Sequence, residues 1–152
     1  MDKIDRKILA LLQKDATTPV AEIGRKVGLS TTPCWRRIQK LEEEGVIQRR
    51  VAVLDPVRVN TRVNVFVSIR TGSHSLEWLR RFSEVVQEFP EVVEFYRMSG
   101  EIDYLLRVVV PDIAAYDAVY KRLIRDVALA DVSSSFAMEQ LKYTTALPLQ
   151  YA

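Results

Sequence analysis

LSTTPCWRRIQKLEEEGVI, Leu29–Ile47, sets the only cysteine of the chain beside one of its two tryptophans, with two arginines directly after. At 100° per residue, Cys34, Ile38 and Leu41 fall on one side of a helix. Thr32, Arg36 and Gln39 fall on the other, with Trp35 and Lys40 nearer its edges. Ser30 is placed to cap this helix, Pro33 sits in its first turn, and Gly45 ends it. Cys34 is expected as a small buried hydrophobe rather than as a reactive thiol.

Upstream, TTPVAEIGRKVG (17–28) offers a Thr near a cap, Pro19 where a helix tolerates proline, and Val20, Ile23 and Val27 at helical spacing before Gly28. Further back, Ile4, Ile8, Leu11 and Leu12 form an apolar stripe, with Asp2 and Asp5 set against the positive end of a helix dipole. Three short helices with a tight glycine-containing turn between the second and third predict a helix-turn-helix. Downstream, VIQRRVAVLDP (46–56) is β-prone and predicts a small hairpin or wing that Pro56 breaks.

Past residue 61 the period changes. Val63, Val65, Val67 and Ile69 alternate as a strand, and Leu76, Leu79, Phe82, Val86 and Phe89 then suggest a helix closed by Pro90. VVEFYRM and YLLRVVV read as two further strands. Asp112 can cap a helix carrying Tyr116, Val119, Tyr120 and Leu123, and VSSSFAMEQLKY reads as a last strand. The order βαββαβ predicts an α+β chain whose second part is ferredoxin-like. The expected division is a helix-turn-helix domain over 1–50, a linker strand or hinge over 51–61, and a ferredoxin-like domain over 62–152.

Composition agrees with a globular protein: 48% of residues are apolar and 28% charged. No apolar run approaches the ~20 residues that a bilayer span needs. The N-terminal stretch lacks the apolar core and cleavage site of a secretory signal, and one cysteine permits no internal disulfide, so a reducing cytoplasm is expected. Net charge is only +2, but residues 1–50 hold 11 Lys/Arg against 7 Asp/Glu, and the remainder 11 against 13. The basic excess belongs to the helix-turn-helix.

An outward face of Thr, Arg, Gln and Lys suits a major groove, since Arg and Lys reach guanine edges or phosphates, Gln pairs with adenine and a Thr methyl meets thymine. Charged exposed faces are ordinary on their own. The tight turn before this one and Arg49–Arg50 after it favour DNA, while Trp35 is better suited to packing over the turn. In SGEIDYLL (99–106), the simplest reading is a hairpin in which Gly100 supplies a free φ and the acids are solvated. The other reading gives Asp103 to an ammonium group and the freed N–H groups of the turn to an anion, which together describe the main-chain atoms of an amino acid. Catalysis has little support: His74 is the only histidine, expected as a solvated loop residue, and there is no metal-ligand spacing, phosphate-binding glycine loop or nucleophile elbow. No cofactor is expected.

DKIDRKILALLQKD, VGLSTTPCWRRIQKLEEEGVI, LDP and SGEIDYLLRVVVPDIAAYD, in this order and spacing, resemble the Lrp/AsnC (leucine-responsive, feast/famine) transcriptional regulators across essentially the whole chain. The resemblance implies a winged helix-turn-helix followed by a ferredoxin-like ligand domain. It also implies dimers joined through the second domain, rings of dimers up to an octamer, a palindromic operator in double-stranded DNA, and an amino-acid effector held between dimers near the hairpin. Ser30, Thr31, Thr32, Trp35, Arg36, Arg37, Gln39, Lys40, Arg49 and Arg50 form the expected DNA-binding set. By matching positions, Met98, Ser99, Gly100, Glu101, Asp103 and Tyr104 fall at the effector pocket, with Ser134, Phe136 and Ala137 lining it from the last strand. STTPCW, EWLRRF and SSFAMEQLKYTT are similar to the subgroup that senses L-cysteine and activates a cysteine-degrading desulfidase. There Phe136 is bulky enough to shorten the pocket for a small side chain. Two rivals accompany this reading: an enzyme on the same scaffold, resembling the haem-precursor decarboxylases, and an effector-binding module without DNA binding.

Overall fold

The computed structural model describes residues 1–127 and 129–152, in two units: Met1–Val53 with Leu141–Ala152, and Leu54–Gln140. The second domain expected over 62–152 therefore gives up its last twelve residues to the N-terminal unit. Sequence periodicity could not assign them, because 137–148 forms neither helix nor strand and is exposed.

The first unit contains α1 (Lys3–Lys14), α2 (Val20–Val27) and α3 (Thr31–Glu43). Asp2 caps α1 through the N–H groups of Ile4 and Asp5, and the Asp5 carboxylate returns a bond to the Asp2 N–H, a complete capping box. Ser30 precedes α3 at the cap position, but its hydroxyl makes no capping bond. The unit buries Ile8, Leu9, Ile23, Cys34, Ile38 and Leu41 together. Cys34 is fully buried, and desolvation pushes its thiol pKa up. The turn between α2 and α3 depends on two glycines. Gly28 takes a left-handed φ of 79°, and a Cβ on Gly24 would lie 2.7 Å from the Leu29 carbonyl oxygen. The wing expected over 46–56 forms no strand. Val51, Val53 and Leu54 stay exposed, and no neighbouring strand among the described residues offers them a ladder.

The second unit contains β1 (Val63–Arg70), α4 (Leu76–Gln87), β2 (Val92–Arg97), β3 (Tyr104–Val110), α5 (Ile113–Asp126) and β4 (Asp131–Phe136). The sheet is antiparallel in the order β2-β3-β1-β4, which is the ferredoxin-like arrangement. Val65, Val67 and Ile69 of β1 and Tyr104, Leu106, Val108 and Val110 of β3 alternate onto one face, where they pack with Phe82 and Val86 of α4 and Tyr116, Val119 and Leu123 of α5. β4 stops at Phe136 rather than at residue 143: Phe136 pairs with Val65, the Ala137 N–H reaches the Asn64 carbonyl, and β1 then runs out.

Candidate DNA interface and effector site

The recognition face begins with the turn that Gly24 and Gly28 allow, since it sets where α3 starts. With Cys34, Ile38 and Leu41 buried, Thr31, Thr32, Trp35, Arg36 and Lys40 are exposed. Trp35 keeps 49% of its surface accessible. The indole is thus far less covered than the packing role expected for it.

The basic residues of this region fall into two groups. Arg37 directs one guanidinium nitrogen to both Asp2 Oδ2 and Asp5 Oδ1, each at 2.7 Å, so it ties α3 to the capping box of α1. Its pKa is raised by these two bonds, Asp5 first. Gln39 donates to Glu42 at 3.0 Å and Arg50 to the other oxygen of Glu42 at 2.8 Å. Arg36 and Arg49 have no ion-pair partner among the described residues, and Lys40 is 71% exposed at 3.6 Å from Glu44, a geometry of little energetic weight. Arg37, Gln39 and Arg50 are held by carboxylates, whereas Arg36, Lys40 and Arg49 are free to meet phosphate or base edges. The i+1 neighbour of Arg36 pointing inward follows from the helical period; the acids it meets come from another helix, which no local pattern reveals.

In the second unit, the turn between β2 and β3 closes with the Met98 N–H on the Asp103 carbonyl, and Gly100 takes a φ of 121°. The N–H groups of Ser99, Gly100 and Glu101 donate to no acceptor among the described residues. The turn is fastened to the end of β1 by Asp103 N–H to the Ile69 carbonyl at 2.9 Å and by Arg70 Nε to the Glu101 carbonyl at 2.8 Å. One Asp103 oxygen accepts from the Thr71 N–H at 2.8 Å; the other lies 3.8 Å from His74 Nδ1. His74 remains 74% exposed, but it stands beside this carboxylate and not apart from the site. Thr71 and His74 were not legible as site residues, because only the folding of the β1–α4 loop against the hairpin brings them there.

The remaining expected residues do not converge on this hairpin within one chain. The Tyr104 ring, 5% exposed, is turned into a cluster with Trp78, Phe82 and Phe95. Ser134 pairs with Val67 and Phe136 with Val65, while Tyr104 pairs with Ile69. At ~3.3 Å per residue, Phe136 lies roughly 13 Å along the sheet from the hairpin end, and on the far side of β1. The Ser134 hydroxyl bonds to Tyr116, and the Phe136 ring meets Tyr116 edge-on at 5.3 Å. Burial raises the Tyr116 pKa.

Residues 1–42 match the AsnC-type helix-turn-helix domain, and residues 64–147 match the Lrp/AsnC ligand binding domain. The chain is 53% identical to the DNA-binding transcriptional activator DecR of Escherichia coli K12, over 99% of both chains. It is 52% identical to the glutamate uptake regulatory protein of Zymomonas mobilis, over 98% of this chain and 91% of that one. Among solved structures, an AsnC family transcriptional regulator from Agrobacterium tumefaciens is 75% identical over 99% of both chains, with a TM-score of 0.97. The L-Met complex of a transcriptional regulator from Neisseria meningitidis is 33% identical over 99% of this chain and 98% of that one, with a TM-score of 0.94.

Proposed function

The chain belongs to the Lrp/AsnC family of transcriptional regulators, and from that membership we propose that the outward face of α3 reads DNA under the control of an amino acid bound at the hairpin end of the second unit. The protein is a DNA-binding transcriptional regulator and not an enzyme: both matched domains and the relatives named above are those of transcriptional regulators. The rival of a haem-precursor decarboxylase is set aside on that ground.

One observation carries the assignment of the face: Arg36 and Lys40 stand opposite the buried stripe of α3 with no strong partner, while neighbouring Arg37 is spent on Asp2 and Asp5. Arg36, Lys40 and Arg49 contact phosphates or guanine edges, Thr31 and Thr32 approach base methyls, and Trp35 flanks the groove. A twofold dimer presents two such faces, so the operator is an imperfect palindrome with half-sites ~34 Å apart or a multiple of that. Binding weakens steeply with salt as phosphate contacts release counterions. The test is Arg36→Ala with Lys40→Ala, read by titration on a native promoter fragment: DNA affinity falls on the order of a hundredfold while effector binding and assembly persist. Unchanged affinity would falsify this face.

The effector is an amino acid whose ammonium group faces Asp103 and whose carboxylate takes the N–H groups of Ser99, Gly100 and Glu101. Support comes from the unspent donors of the turn. Because Phe136 and Ala137 lie at the other end of the sheet in the same chain, and Ser134 pairs with the middle of β1 on the side away from the hairpin, a second copy supplies them. This requires a dimer and, for the paired sites, a larger ring up to an octamer. L-cysteine is the proposed ligand, with Phe136 limiting the side-chain space, and the regulated gene encodes a cysteine-degrading enzyme that is activated in the cytoplasm. The Neisseria relative carries L-Met. Calorimetry with cysteine, methionine, glutamate, leucine and asparagine separates the candidates. Cysteine binds tightest, and a much stronger leucine or asparagine isotherm removes it.

A further inference from the structure

Residues 147–152 are seated on α1. The Gln13 side chain grips both main-chain groups of Leu147: its amide nitrogen donates to the Leu147 carbonyl at 3.2 Å, and the Leu147 N–H donates to its oxygen at 2.6 Å. Arg6, two turns away on the same face, donates to the main-chain oxygen of Ala152 at 3.0 Å. Between them Leu149 packs against the apolar cluster of the first unit. The other end of the same helix holds the recognition helix, through Asp2 and Asp5 on Arg37. The segment 137–146, which joins this anchor to β4, is exposed throughout.

We propose that the C-terminal segment is a strap that ties β4 of the ligand-binding unit to α1 of the DNA-reading unit, and that Arg37 is the positioning residue that passes the setting of α1 to α3. One link is covalent, from β4 through 137–146. The next is the Gln13, Arg6 and Leu149 anchorage, and the last is the pair of carboxylates on Arg37. A displacement of Ser134 or Phe136 on β4 pulls on α1 by this route, in addition to any change at the residues that enter the second unit at 54. The strap thereby gives the effector control described under Proposed function a physical path, and it rests on that reading for the ligand, its contact with β4 and the DNA-reading face. Coupling is reciprocal, so releasing the strap from α1 must also be felt in β4. That separates a strap from a tail which merely stabilises the helix it covers.

The test uses two full-length variants. In the first, Gln13→Ala with Leu149→Ser undocks the strap. Hydrogen exchange then speeds up in α1 and in β4 but not in β2 or β3, and DNA affinity drops at least tenfold. Unchanged exchange in β4 overturns the proposal even if α1 loosens. In the second, a six-residue Gly-Ser insertion between Lys142 and Tyr143 slackens the strap and leaves every anchoring residue in place. DNA affinity without ligand stays within twofold of wild type, and the change in affinity on adding L-cysteine, methionine, glutamate or leucine shrinks to less than twofold. A full response in the slack variant overturns the strap. A wild type that responds to none of these amino acids sinks the effector reading instead, and the exchange at β4 then decides the strap alone.

Discussion

The proposed recognition face takes all but Arg49 from one helix of one chain, whereas the residues expected at the effector site are spread along a sheet. In α3, Cys34, Ile38 and Leu41 bury one side, so the other side can be listed by counting. In the second unit, the hairpin meets the end of β1 at Ile69, while Phe136 meets β1 at Val65. A site built on helical period needs only the local pattern, but a site built across a sheet depends on register and, under the proposed function, on a second copy. The first unit is therefore vulnerable to changes at its turn and the second to changes in its pairing, and each should fail without the other.

Gly24→Ala gives the largest expected effect on this contrast. Its Cβ would stand 2.7 Å from the Leu29 carbonyl oxygen and 3.4 Å from the Cys34 Cβ, so the α2–α3 turn must open. Overpacking of this kind costs about 1–3 kcal/mol. The loss should be confined to the first unit, with its amides exchanging faster and those of β1 and β3 unchanged. Equal loosening of both units would show that they do not stand apart.

Next in size is the difference between two adjacent arginines. Arg36→Ala should cost DNA affinity by about 1–3 kcal/mol and reduce the salt slope by about one, as for the loss of one base-edge or phosphate contact. Arg37→Ala should also weaken binding, through a loosened α3, but with the salt slope unchanged, because its charge is spent on Asp2 and Asp5. A smaller slope for Arg37→Ala would return that residue to the DNA-contacting group.

How much could be read in advance follows the same division. The helices, the βαββαβ order and the buried Cys34 were legible because apolar spacing and capping residues are local signals. Gly24 was not, since only Gly28 looks like a helix stop and the close approach at Gly24 is made by a residue five positions later. The wing and the long last strand were overcalled from β-propensity, which says nothing of whether a partner strand is present. Arg37 and Arg50 were grouped with Arg36 by charge and Gln39 by its place on the outward face; their carboxylate partners, at the start of α1 and at Glu42, are revealed by neither signal. The seating of 147–152 on α1 had no sequence signal, because Gln13 binds main-chain atoms and any residue but proline could stand at 147.

On the effector side, Asp103→Asn keeps an oxygen for the Thr71 N–H but removes the charge that would meet an ammonium group. Calorimetry should show amino-acid affinity reduced about tenfold, or ~1.4 kcal/mol, with DNA affinity in the absence of ligand unchanged. Intact amino-acid binding would place the ammonium elsewhere.

The smallest expected effect, and the one that best separates the two units, is at low pH. The Asp2 carboxyl is held down at about 2, chiefly by the Asp5 N–H and then by Arg37, against an ordinary value of 3.8. The folded form therefore prefers the ionised carboxylate more than the unfolded chain does. Its stabilisation is fully present above the ordinary value and is lost as pH falls from about 4 towards 2. Asp15 and Glu22 in the same unit are lowered as well, by Thr17 and Lys26 respectively, whereas the second unit has Asp126 lowered by Arg125. Asp2→Asn retains a capping side chain but no charge, so it isolates the ionic part. In an acid titration followed by NMR, the variant should show a flatter decline for α1 and α3 between pH 4 and 2, starting from lower stability at neutral pH, and β1–β3 should titrate as in wild type. Superimposable acid profiles for α1 in the two proteins would mean that the Asp2 charge contributes nothing to folding, and the link from the strap to the recognition helix would then rest on Asp5 alone.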